Sequence, residues 1–240
     1  RIITTRLTAD LLSIMLADSG HIQESDAEYQ NKKNKRAGRP EIEPIYTVAD
    51  AMRVPEFLTT VEYGEVVEVC EGVKATFIDA GHLLGSASIR LDLTEGGEHR
   101  SIVFSGDIGN VDQPILRNPQ FFDGADYVVM ESTYGNRNHT EVWSYTDELA
   151  EIIDETLGKG GNVVIPSFAV GRTQELLYFM REIKDQNLVT SVKDFPVYVD
   201  SPLARSATTI FCGDLTGYLD EEAIQLVSEG EHMFSFPGMN

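Results

Sequence analysis

Polar and apolar positions follow two regimes along the chain. RIITT opens as a short β-type run. From Thr5 to Gly20 the apolar residues Leu7, Leu11, Leu12, Met15 and Leu16 recur at helical spacing, and Gly20 reads as the stop. The polar stretch from Gln23 to Pro44 predicts a mobile or partly helical segment, and TVADAMRVPEFL a second short helix. Strands come next: EVVEVC, VKATFIDAG, SASIRLDLT and SIVFSGD, separated by glycine-rich turns, with TEGGEHR as a hairpin loop. ADYVVMEST is a further strand with a near-continuous apolar centre. After about residue 140 helices and strands alternate. SYTDELAEIIDETLGKGG is an amphipathic helix with a glycine stop, NVVIPSFAV a buried-type strand and GRTQELLYFMREIKDQ a helix. FPVYVDSP is a strand, and LARSATTIF opens the next helix. That βαβα order implies a parallel sheet. The first part is therefore strand-rich and the second doubly wound, with a border near residue 135.

Composition adds bounds. The 240 residues are 42% hydrophobic, enough for one large core or two smaller ones. No apolar run approaches the roughly 18 residues of a membrane span, and no signal peptide opens the chain. Cys70 and Cys212 make no disulfide framework, which favours the cytoplasm, and neither has a second Cys or His at ligand spacing. The first residue is Arg1 and Asn240 comes soon after a Pro-Gly pair, which fits a segment of something longer. The net charge of −20 argues against general affinity for nucleic acid. One local exception is NKKNKRAGR, residues 31–39, with five basic residues in nine. It reads either as a solvated loop or as a phosphate-contacting patch on an acidic protein.

The candidate chemistry sits at strand ends. Gly81 and Gly85 let the backbone turn around His82 in GHLLGSASI, and Gly106 and Gly109 flank Asp107 in FSGDIGN. Each residue alone has a plainer reading, a satisfied polar histidine and a turn aspartate. With Glu131 of ESTYGNRNH, three strand ends each deliver one polar residue, and strand ends are where sites form in open sheets. Imidazole and carboxylate suit Zn²⁺ or Mn²⁺, but two ligands cannot hold a metal tightly.

Taken in order, GHLLGSASI, FSGDIGN, ESTYGNRNH, FAVGRTQELL and VYVDSPLA resemble the β-CASP branch of the metallo-β-lactamase superfamily, whose members process RNA and DNA. ADSGHIQ resembles the helix that comes after this family's first metal motif. The resemblance implies an α/β fold: a partial metallo-β-lactamase αββα sandwich over residues 1–134, then an α/β β-CASP subdomain with a mostly parallel sheet over residues 135–240. It makes His82 a metal ligand and Asp107 the aspartate that bridges two zinc ions, with manganese as the alternative metal. Glu131 becomes the acidic residue beside the metal centre, orienting a ligand or assisting proton transfer. His139 is a substrate or structural contact, or a surface histidine. Arg172, at a helix start, is either a phosphate ligand or an arginine tying its loop to a carboxylate. Ser201 touches the nucleic-acid backbone or caps a helix.

The departures count as much. The family's HxHxDH signature appears nowhere, and His21, His82, His99, His139 and His232 do not make the missing cluster. That signature would lie before RIITT, and the later histidine motifs beyond Asn240. The expectation is a metal-dependent phosphodiester hydrolase in the intact parent, an endo- and/or exoribonuclease, with this chain inactive by itself. A non-catalytic RNA-binding or structural member is one alternative. A small-ester metallo-hydrolase is another, disfavoured by ESTYGNRNH and the βαβα insert. The partners implied are RNA and a second copy of the chain, without a membrane, in a cytoplasmic setting. Loss of the first half of the sandwich should expose strand edges and promote self-association.

Overall fold

A computed structural model describes residues 1–138, 144–230 and 232–240. The chain opens with β1 (Ile2–Thr5) and passes directly into α1 (Arg6–Arg36), a helix of 31 residues. Thr5 caps α1, its hydroxyl accepting from the Thr8 N–H. A short helix α2 (Val48–Ala51) and a 3₁₀ turn (Val54–Phe57) lead to β2 (Leu58–Val61), which pairs in parallel with β1.

Gly20 does not stop α1. A Cβ at Gly20 would lie 2.9 Å from the Val48 backbone nitrogen and 3.1 Å from the Thr47 carbonyl. The glycine thus serves close approach of α2 to the middle of α1, an approach fastened by the Val48 N–H donating to Glu24 Oε1. Of the segment after Gln23, read from the sequence as mobile or partly helical, the part as far as Arg36 is helix, and its last turn carries Lys33, Lys35 and Arg36, the charge that a helix C-terminus favours.

The main sheet has the order β3 (Val66–Cys70), β4 (Val73–Asp79), β5 (Ala87–Glu95), β6 (Glu98–Phe104) and β7 (Tyr127–Val129). The first three pairings are antiparallel and β6–β7 is parallel. Gly96 and Gly97, both at positive φ, close the two-residue β5–β6 hairpin that TEGGEHR announced. At the β7 edge Tyr127, Val128 and Val129 are all more than half exposed.

The remaining helices are α3 (Tyr145–Gly158), α4 (Arg172–Asp185), α5 (Pro202–Phe211) and α6 (Glu221–Ser228). The α/β class holds, with parallel pairings at β1–β2 and β6–β7. The parallel sheet expected of the second part does not form among the described residues. NVVIPSFAV enters no ladder, and Val164 and Phe168 are largely exposed. Pro166 lacks the N–H that an interior strand position needs. Val197 instead bridges Met239, with the Val197 N–H on the Gly238 carbonyl and the Asn240 N–H on the Val197 carbonyl. The largest core cluster joins Leu7 and Leu11 of α1, Leu84 and Ile115 to Leu177 and Ile183 of α4, Phe211 of α5 and Phe234. A smaller one lies under Val61, Ala75 and Phe77.

Candidate functional site

Sheet direction gathers the three strand-end residues. β4 and β6 are both antiparallel to β5, so they run the same way, and β7 runs parallel to β6. The C-terminal ends of β4, β6 and β7 therefore open on one edge, each leading into a loop bearing His82, Asp107 or Glu131. β5 separates β4 from β6, a gap of about 10 Å at ordinary strand spacing. Backbone contact closes it. The Gly109 N–H donates to the Ala80 carbonyl at 2.9 Å, and a Cβ on Gly109 would lie 1.8 Å from the Gly81 carbonyl oxygen. Only a residue without a side chain lets the two loops touch.

With the loops in register, His82 Nε2 lies 3.8 Å from Asp107 Oδ2, both side chains open to solvent. The His82 loop is braced by Ser86, whose Oγ accepts from the His82 and Leu83 N–H groups. The Gly85 carbonyl accepts from the hydroxyls of Thr5 and Thr8, which pins the loop to the start of α1. Glu131 is held at both ends. Its N–H donates to Ser105 Oγ at 3.0 Å, and its Oε1 accepts from the Ile108 N–H at 2.5 Å. That backbone hydrogen bond chiefly, then Thr133 and the charge of His82, holds the Glu131 carboxyl below its usual range.

Beneath His82 lies an ion pair that the sequence did not disclose. Asp79, at the end of β4, accepts from the Gly81 N–H at 2.9 Å and from Arg117 Nε at 3.1 Å. Arg117 Nη2 is also 3.1 Å from Asp79 Oδ2 but is poorly aligned for a hydrogen bond. The Tyr63 ring lies 5.3 Å from the Arg117 guanidinium. Burial raises the Asp79 carboxyl above its ordinary value, against the lowering effects of the Gly81 N–H and Arg117. An aspartate ending an apolar strand was a usable signal for this pair; Arg117, 38 residues further on, carried none.

His82, Asp107 and Glu131 line a cleft of about 780 Å³. Its other wall includes Phe168, Gly171, Arg172 and Glu175. At Gly171, φ is +87°, and a Cβ would lie 2.3 Å from Leu83 Cδ2, so the two walls meet beside His82. Arg172 pairs with Glu175 at 2.7 Å while its side chain remains largely exposed in the cleft. Ser201 caps α5, its Oγ accepting from the Ala204 N–H at 3.2 Å. It is not among the cleft-lining residues, although its neighbour Leu203 is. His139 lies outside the described residues. Met15, Thr133, Tyr134 and Phe234 complete walls that sequence reasoning did not anticipate.

The donor types at His82 and Asp107 suit zinc or manganese, and their spacing lets both reach one ion with bonds near 2.1 Å. Their number does not suffice. Among the described residues no group of three His, Cys, Asp or Glu side chains is placed to hold a metal, and a catalytic zinc needs at least three protein donors.

The structure defines an α/β protein with a polar cleft at the strand ends of a mixed sheet, and comparison with known proteins narrows the class. Residues 173–240 match the Beta-Casp domain family. A ribonuclease of Thermus thermophilus is 32% identical over 98% of this chain and 48% of its own length. Transcription termination factor FttA of Pyrococcus abyssi is 31% identical over 97% of this chain and 33% of its own length. An endoribonuclease of Eremothecium gossypii is 30% identical over 75% of this chain and 23% of its own length. These matches support the resemblance of the chain to the β-CASP branch of the metallo-β-lactamase superfamily. It spans between about a quarter and a half of the length of these relatives.

Proposed function

We propose that the whole protein is a metal-dependent phosphodiester hydrolase that processes RNA, as an endo- and/or exoribonuclease, and that these 240 residues are a catalytically incomplete part of it. The observation that carries this is the convergence of His82 and Asp107 within 3.8 Å, beside a clamped Glu131, in a cleft that also holds Arg172. The ribonuclease relatives supply the substrate class. In this reading residues 1–134 form the metallo-β-lactamase-like part and residues 135–240 the β-CASP-like part, where the family match falls. A cytoplasmic setting belongs to the same proposal, because RNA is made and processed inside the cell. Among the described residues no helix is long and apolar enough to cross a membrane.

His82 and Asp107 would hold zinc, or manganese, together with donors from the rest of the protein. A metal held there would supply Lewis-acid chemistry for hydrolysis of a phosphodiester. Glu131, ionised because its carboxylate accepts from the Ile108 N–H, orients the Asp107 loop or assists proton transfer. Arg172, fixed by Glu175, offers its remaining N–H groups to a phosphate oxygen. The cap on α5 uses Ser201 Oγ as an acceptor and leaves its O–H to donate to the backbone of the strand, but Ser201 does not line the cleft, and it is the weakest member of the set.

Metal content and RNA cleavage of the full-length protein test this, with His82→Ala, Asp107→Ala and Glu131→Gln beside the wild type. The first two should lose metal, and cleavage with it. Glu131→Gln should keep metal and lose about 10²–10⁴-fold in rate. Metal-loaded protein inert on RNA, or cleavage indifferent to His82 and Asp107, would sink the proposal. The same donor shortage favours a second reading for the 240 residues alone, an RNA-binding part without activity. Little or no metal on the isolated chain is the expected result.

A further inference from the structure

The cationic end of α1 lies outside the cleft chemistry. Five of the nineteen Lys and Arg residues of an acidic protein fall within residues 31–39: Lys32, Lys33, Lys35, Arg36 and Arg39. All five are exposed. Lys32 pairs with Glu28, and Lys33 sits 4.2 Å over the ring of Tyr29, itself 61% exposed. Lys35, Arg36 and Arg39 make no ion pair among the described residues.

Neutralising the helix dipole accounts for cations in the last turn but not for one beyond the helix. Arg39 lies past the end of α1, and side-chain amides fold its segment back on the helix end. Asn31 donates to the Ile42 carbonyl and accepts from the Ile42 N–H, both at 2.8 Å. Buried Asn34 donates to the Pro40 carbonyl, and its own carbonyl accepts from the Arg39 N–H. Gln30 in turn donates to Asn34 Oδ1. The backbone that carries the fifth cation is thus fixed beside the helix end that carries the other four.

Position indicates the ligand. Met15 of α1 lines the cleft, and Lys33 lies 18 residues further along the same unbroken helix. At 1.5 Å per residue the two are about 27 Å apart. A small anion has no use for that separation, whereas a polymer with a repeating negative charge spans it. Tyr29, next to the cations, offers a ring on which a base can stack. We propose that the end of α1 is a distal anchoring surface for single-stranded RNA, gripping the strand several nucleotides away from the segment in the cleft. The inference rests on the RNA reading above.

The test uses full-length protein, in chelator so that no strand is cut, and single-stranded RNA of increasing length. The variant replaces Lys32, Lys33, Lys35, Arg36 and Arg39 with Gln; because all five are exposed it should fold normally, and circular dichroism checks this. Wild type should gain affinity once the RNA is long enough to reach both places. The variant should bind short RNA equally well and lose that gain. If three of the five cations contact phosphates, the slope of log K against log salt for long RNA should shrink by about 2. Length-dependent binding with an unchanged slope in the variant overturns the surface while leaving the RNA reading intact. No RNA binding by wild type at any length overturns the RNA reading itself. Loss of binding to anionic phospholipid vesicles, with RNA binding untouched, would assign the surface to a membrane and overturn the proposal.

Discussion

Replacing Arg117 with Met isolates the energetic role of the ion pair beneath His82. The Asp79 side chain is 6% exposed and that of Arg117 31% exposed. Removing one partner of a buried pair costs about 3–5 kcal/mol, because the other charge stays buried without compensation. Partial exposure of Arg117 places the expected loss at the low end, about 3 kcal/mol, or about 6–12 °C in Tm for a chain of this size. The pH dependence gives the effect a sign. Unfolded, Asp79 titrates at its ordinary 3.8, and burial raises it in the fold. The folded state therefore keeps the proton where the unfolded chain has released it. Stability from this group is full below the ordinary value and falls as pH rises through the folded one. Loss of Arg117 removes influences that lower the folded value, so the window extends upward. The deficit should be large near neutrality and shrink toward about pH 4. Urea titration followed by circular dichroism at several pH values measures it, and Asp79→Asn in the Arg117→Met background should recover part of the loss. A deficit below about 0.5 kcal/mol, or one that is flat with pH, would refute the reasoning.

Backbone contacts and strand edges set two further outcomes. Gly109→Ala places a Cβ 1.8 Å from the Gly81 carbonyl, so the loops must part. We expect about 2–4 kcal/mol of lost stability by urea titration and reduced metal content in the full-length protein. A variant as stable as the wild type and fully metal-loaded would show that the loops have room to spare. The isolated chain should self-associate through the exposed β7 edge, and Val128→Lys should lower its mass in sedimentation velocity. A monomeric wild type with a sharp, concentration-independent unfolding transition would contradict this.

The legible parts of the fold were those written in local pattern. The apolar runs of β4, β5 and β6 and the paired glycines at 96 and 97 read directly as a meander. His82, Asp107 and Glu131 were each readable as strand-end residues, and the alternation of strand direction then brings them to one edge. What failed was inference from a residue's usual local role. Gly20 has the sequence context of a helix stop, yet its missing Cβ makes room for the Val48 backbone. NVVIPSFAV has the composition of a buried strand, yet no ladder forms along it. The Asp79–Arg117 pair and the Gly109–Ala80 hydrogen bond join segments 38 and 29 residues apart, and no periodicity encodes such contacts.

The core cluster that joins α1 to α4 and α5 passes directly behind the cleft, with Leu84 and Ile115 on one side and Phe211 and Phe234 on the other. Leu84, Ile115, Phe211 and Phe234 each touch the cleft and belong to that single buried cluster. The walls therefore cannot separate without exposing apolar surface, and the width of the opening is fixed before a ligand arrives. Selection at such an opening works by fit to a shape already formed and not by closure around the ligand. The entropy of ordering the walls is spent during folding and does not weaken binding.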